Sequence, residues 1–178
     1  MPDFHFRRLT MEDLPLMHRW IHTARVKAVW DPDKAWTYSE VVDKYQPRTD
    51  GSEPTDSFVI MCDGQPIGYI QTYLWRDYPD YAQHLHLTEE AASLDVFIGD
   101  EAYIGKGIGP QMLICFMREI VFANPALDSC IISPEVTNVP AIKAYEKAGF
   151  RHWKTMDHPN ESTPVYLMRV GRADLPSG

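Results

Sequence analysis

The chain has 178 residues, 44% hydrophobic and 24% charged, enough to bury the core of one compact domain over residues 1–178, with no linker-like stretch to divide it. A formal net charge of -8 argues against nonspecific nucleic-acid binding, which needs a concentrated basic surface to neutralise phosphates. No segment, including Met1 to Arg8, approaches the roughly 20 apolar residues of a bilayer span, so a cytoplasmic protein without membrane association is expected.

In chain order the pattern is mixed α/β. Phe4 to Leu9 suggests a strand, and Thr10-Met11-Glu12-Asp13 resembles a capping arrangement for a helix with Leu14, Met17, Trp20 and Ile21 on its apolar side. Trp30 to Trp36 reads as a loop. Thr37 caps a second helix through Tyr45, and Gln46 to Asp56 has the Pro, Gly, Ser and Asp content of a mobile surface segment. Ser57 to Cys62 and Ile67 to Trp75 flank Asp63-Gly64, a tight-turn signal, and predict a hairpin. Further strands are expected over Ala92 to Gly99, Ser129 to Ser133, Phe150 to Thr155 and Val165 to Val170, with helices after Gly109 and over Val139 to Ala148. Cys62, Cys115 and Cys130 are odd in number, widely spaced and set among apolar neighbours, which predicts buried free thiols. His84 and His86 lack further ligands at metal-site spacing, so no metal is expected.

The most informative stretch is Ile104-Gly105-Lys106-Gly107-Ile108-Gly109-Pro110, followed directly by the apolar helical run Met112 to Phe122. Glycine reaches positive φ without a Cβ clash, so successive N–H groups can turn toward one anion. The helix that follows adds unpaired N–H groups and the positive end of its dipole. The spacing is neither that of the nucleoside-triphosphate P-loop nor that of the dinucleotide fingerprint. Taken alone, the motif fits a pyrophosphate cradle or a plain strand-to-helix turn. In the second segment, Asn138 to Phe150, Asn138 is placed to cap a helix, Pro140 to fit its first turn and Gly149 to end it.

Together the two segments resemble the Gcn5-related N-acetyltransferase (GNAT) family, and within it the six-prime aminoglycoside acetyltransferases. The similar run extends from Asp63-Gly64 through Ser93-Leu94-Asp95 and the glycine turn to Phe150, and ends near Pro164-Val165-Tyr166. The resemblance implies a central mixed, mostly antiparallel twisted sheet flanked by helices, acetyl-CoA as cosubstrate, and direct transfer to an amine. It places the cosubstrate against Val96, Phe97 and Ile98, the amides of Gly105, Lys106, Gly107, Ile108 and Gly109, and the second motif at Asn138 and Ala141. Ile104 stands where the family usually has Gln or Arg, which removes a side-chain contact and leaves the backbone donors.

Acetyl transfer needs an amine that has lost its proton, a polarised thioester and protonation of the departing thiolate. Tyr145 is the candidate acid, because a phenol with a reference pKa of about 10 stays protonated at neutral pH. It also matches the family's tyrosine. Asp95 is the candidate carboxylate, a single acid within the apolar run Leu94 to Ile98. Helping to deprotonate the amine, orienting it, and merely facing water at a sheet edge all stay open for this residue. For the acceptor, Trp75 to Tyr81 alternates aromatics and acids suited to sugar rings and ammonium groups. Asp80 and Trp30 match acceptor-site residues of the resembling enzymes. Where those enzymes carry an aspartate before a proline, this chain has Ser133-Pro134-Glu135, with Glu135 as the neighbouring replacement.

The expected acceptor is thus the six-prime amine of an aminoglycoside, an antibiotic-resistance activity, in a monomer or homodimer. The alternatives are another amine (a hydroxylysine-type siderophore precursor, a polyamine or a protein N-terminus) and a CoA-binding sensor without turnover.

Overall fold

The computed structural model describes residues 2–159 and 161–176. Among the described residues, seven strands form one sheet of order β1-β2-β3-β4-β5-β7-β6. The chain divides into two compact units of interleaved segments, Met1–Thr72 with Asp95–Lys106 and Tyr73–Leu94 with Gly107–Gly178. Among the described residues no helix is long and apolar enough to cross a membrane.

In the first unit, β1 (Phe4–Arg8) pairs antiparallel with β2 (Thr55–Cys62), Phe4 opposite Cys62 and Arg8 opposite Phe58. β2 turns into β3 (Gln65–Leu74) through Asp63 at φ 48° and Gly64 at φ 78°. Two consecutive positive φ angles match the twist of a two-residue hairpin turn, as Asp-Gly predicts. The Thr10 to Asp13 capping box forms, with Asp13 Oδ2 accepting from the Thr10 backbone N–H and hydroxyl at 2.9 Å each. It opens α1 (Leu14–Ile21), where the four predicted apolar residues are all buried. A helix absent from the expectations, α2 (Ala24–Trp30), follows, so Trp30 ends a helix instead of starting a loop.

α3 (Tyr38–Thr49) is capped by Thr37, whose hydroxyl accepts from Glu40 N while Glu40 Oε2 accepts from Thr37 N at 2.8 Å. The stretch after Tyr45, expected as a mobile segment to Asp56, is largely regular instead: α3 runs through Pro47 to Thr49, and β2 already begins at Thr55. A proline in the last turn forfeits one backbone bond and does not stop the helix outright. Asp50 N still donates to Gln46 O at 3.2 Å, and Glu53 N closes onto Pro47 O at 3.0 Å. One buried cluster joins Met17 and Trp20 of α1, Val26 of α2, Val41 and Tyr45 of α3, Tyr69 of β3 and Phe97 of the next strand.

β4 (Ala91–Ile98) starts in the second unit and ends in the first. Its parallel ladder with β5 (Ser129–Ile132) covers Ala91 to Ser93, opposite Ser129 to Ile131. Within the second unit the predicted loop Trp75 to Tyr81 is instead a 3-10 turn, Trp75–Asp77, followed by α4 (Pro79–Ala82). Trp75 is buried there and stacks on Tyr81 at 5.6 Å, so its face is committed to packing. His84 is half-buried and His86 exposed, and among the described residues no group of three His, Cys, Asp or Glu is placed to hold a metal. α5 (Gly109–Phe116) continues into a π-helical turn, Met117–Val121, and α6 (Val139–Lys147) leads to β6 (Arg151–Met156) and β7 (Val165–Gly171). β7 is antiparallel to both β5 and β6. Cys62 and Cys130 are buried as expected, whereas Cys115 is only half-buried.

Candidate active site

Side chains alternate along a strand, so Asp95 shares a face of β4 with Phe97, a residue of the helix-covered cluster. Asp95 itself is half-buried. Asp95 Oδ2 accepts a hydrogen bond from Gln71 Nε2 of β3 at 2.8 Å. Burial pushes the Asp95 carboxyl above the usual carboxylate range, opposed by the Gln71 hydrogen bond and by the charges of Arg48 and Lys44. Asp95 lies beyond the Ala91–Ser93 ladder with β5, half-buried, and Gln71 of β3 is its hydrogen-bond partner.

Gln71 is itself one of a row. Its Oε1 accepts from the Tyr69 hydroxyl at 2.7 Å and from the Arg48 guanidinium. Tyr69 also meets the Ser57 hydroxyl at 2.7 Å, and burial, the largest influence, helps push its phenol up to about 12. Arg48 closes the row on Glu53, with Nε and Nη2 each 3.1 Å from Oε1. Trp30 roofs the same region. Its indole N–H donates to Tyr45 Oη at 3.1 Å, and its ring meets Phe97 edge-on at 4.9 Å. Trp30, Asp95 and Phe97 are thus brought together, while Val96 and Ile98 lie half-buried on the opposite face of β4.

The glycine segment follows β4 after a 3-10 turn, Glu101–Tyr103. Gly105 and Gly107 both adopt φ 74°, with no atom within 4 Å of a hypothetical Cβ, so the backbone rather than crowding demands glycine. Lys106 is exposed, Ile108 and Gly109 are half-buried, and Pro110 sits in the first turn of α5. The first amides of α5 have no side-chain cap. An anion is the natural partner for such donors.

In the second unit, Asn138 Oδ1 accepts from Ala141 N at 3.3 Å, so Asn138 caps α6 as the sequence predicts. Tyr145 lies about one turn beyond Ala141, half-buried, its ring edge-on to Phe150 at 6.1 Å. Asp80 on α4 and Glu135 between β5 and α6 stand exposed on separate segments. Sequence reasoning passed over Tyr69, Ser57 and Arg48. A glutamine inside the apolar run Gly68 to Leu74 was the available signal, because a buried amide needs partners on both ends.

By fold and by family match, the chain is an acetyltransferase. Residues 10–158 match the acetyltransferase (GNAT) domain family, and the chain belongs to that family. It is 27% identical over 168 residues to the aminoglycoside N(6')-acetyltransferase type 1 of Klebsiella pneumoniae, covering 94% of this chain and 83% of the relative. A solved structure of AAC(6')-Ib with paromomycin and acetyl-CoA superposes with a TM-score of 0.85 at 25% identity, over 97% of this chain and 95% of the other. The same enzyme with coenzyme A and kanamycin gives a TM-score of 0.84 at 25% identity, over 97% and 96%.

Proposed function

We propose that this chain transfers the acetyl group of acetyl-CoA to the six-prime amine of an aminoglycoside, acting as one domain across both units. The observation that carries the reading is the half-buried carboxylate of Asp95, held by the Gln71 amide on a strand that leads through a 3-10 turn to the glycine segment. The relatives named for this reaction, similar over nearly the whole chain, support the acceptor. The match over residues 10–158 crosses both units and supports a single functional domain.

In this reading the amides from Gly105 to Gly109 and the start of α5 bind the pyrophosphate of acetyl-CoA. Val96 to Ile98 line its arm, and Asn138 and Ala141 hold the turn of α6 that closes on it. Acetyl-CoA supplies the thioester. Asp95 receives or orients the proton that the substrate ammonium gives up, the freed amine forms the C–N bond as the C–S bond breaks, and Tyr145 donates a proton to the departing sulfur. Burial raises the basicity of Asp95, which suits it to this exchange better than an exposed carboxylate. Trp30, Asp80 and Glu135 contact the acceptor, with the acids matched to its ammonium groups. Glu135 substitutes for the missing acid at Ser133.

The test is acetyl-CoA-dependent thiol release by the purified protein with a kanamycin-type aminoglycoside, with mass and position analysis of the product. Acetylation at the six-prime nitrogen is expected. Turnover only with a polyamine or a peptide N-terminus would move the acceptor, and acetyl-CoA binding without turnover on any amine would leave a sensor domain.

A further inference from the structure

We infer that Arg48 and Gln71 are positioning residues that hold the Asp95 carboxylate in one orientation as a hydrogen-bond acceptor. The inference rests on the acetyl-transfer reading of Asp95.

The two ends of the Gln71 amide have nearly the same shape, and their partners decide which end faces Asp95. Arg48 has only donors, so the atom it meets on Gln71 must be the oxygen. The Tyr69 hydroxyl donates to that same oxygen at 2.7 Å. With the oxygen taken twice, the NH2 end is turned to Asp95 Oδ2 at 2.8 Å. A flipped amide would set NH2 against guanidinium and oxygen against carboxylate, two repulsive contacts in place of two attractive ones. Tyr69 has a single proton, committed to Gln71, so Ser57 must be the donor in its 2.7 Å contact with Tyr69. Every hydrogen in the row therefore has one direction.

Arg48 can dictate this direction because it is itself fixed. Its side chain is 12% exposed and its fork grips Glu53 through Nε and Nη2, both 3.1 Å from Oε1. The row holds and does not relay, since an amide does not pass a proton in the way an imidazole or a water does. The charged and titratable groups around Asp95 are Arg48, Lys44 and Tyr45 from α3 and Tyr69 from β3. Behind them, Glu53 pairs with Arg48, and Asp31 pairs with Lys44 at 3.5 Å. Both cations favour the ionised carboxylate, and Arg48 is the one coupled to it through hydrogen bonds.

The experiment is a carboxyl 13C NMR titration of Asp95, assigned by its loss in Asp95→Asn, in the wild type, Arg48→Met, Arg48→Lys and Gln71→Met. The pH profile of kcat/KM is recorded alongside. In Arg48→Met the Asp95 midpoint is expected to move to higher pH. The acid limb of kcat/KM should move with it, and the value at neutral pH should fall by roughly tenfold to a hundredfold, the range for losing a charged hydrogen bond. Arg48→Lys, which keeps the charge and loses the fork, should restore much of the midpoint and less of the rate. Gln71→Met should raise the midpoint as well, and it serves if Arg48→Met does not fold. An unmoved midpoint in folded variants, or a loss of rate with the limb unshifted, would overturn the inference and leave Arg48 a packing residue. Should the wild type acetylate none of the amines, the NMR titration still decides the coupling, and the failure belongs to the functional reading.

Discussion

Asp95 sits where folding and catalysis ask for opposite things. Its folded-state pKa lies above that of the unfolded chain, chiefly through burial. Over the window between the two values the folded protein keeps a proton that the unfolded chain has released, so stability falls as pH rises through that window. Ionising this carboxylate is therefore a net cost to the fold. Asp95→Asn keeps an oxygen for Gln71 Nε2 and removes the charge. The variant should melt at a higher temperature than wild type at neutral pH, and the difference should vanish below the unfolded carboxylate's pKa of about 3.9. The same substitution should lower kcat by about 10²-fold or more, the usual range for a lost general base. Calorimetry against pH together with steady-state kinetics checks both halves. A destabilised Asn variant would mean that the carboxylate is a structural anchor.

Elements differ in how openly the sequence announces them, and the difference follows from where their determinants lie. The β2–β3 turn was legible because Asp63 and Gly64 settle it between themselves, as was the start of α3, where Thr37 and Glu40 cap each other. α2 was not, because its seven residues bury only Val26 and offer too few turns for a period to show. The end of α3 was misread at Pro47, where tertiary anchoring of Arg48 on Gln71 and Glu53 outweighs a local helix breaker. The site divides in the same way. Asp95 stood out as an acid in an apolar strand, whereas its network depends on three residues, Arg48, Tyr69 and Gln71, that only the folded chain brings to one point. Gly99, just past β4, shows how closely elements approach. A Cβ there would lie 2.1 Å from Cγ of the buried Trp20 ring, so Gly99→Ala must displace a core aromatic. Overpacking of this kind costs about 1–3 kcal/mol, which urea unfolding should register as a lower midpoint with an unchanged slope.

For the molecule as a whole, the net charge of -8 bears on how an acceptor arrives more than on how it reacts. An aminoglycoside is a polycation, and a negative field raises its local concentration within a Debye length, about 10 Å at 0.1 M salt. Exposed acids such as Asp80 and Glu135 extend that attraction into solvent, where salt screens it. The half-buried carboxylate of Asp95 is screened less. Raising ionic strength should therefore increase KM for the aminoglycoside while leaving kcat nearly unchanged. Asp80→Asn should raise KM at low salt and flatten its further rise with salt, because the variant has already lost part of what the salt screens. Steady-state kinetics of both proteins across a salt series makes the comparison. Parallel slopes for wild type and variant would remove Asp80 from the acceptor's path, and a KM indifferent to salt in both would point to an acceptor with little positive charge.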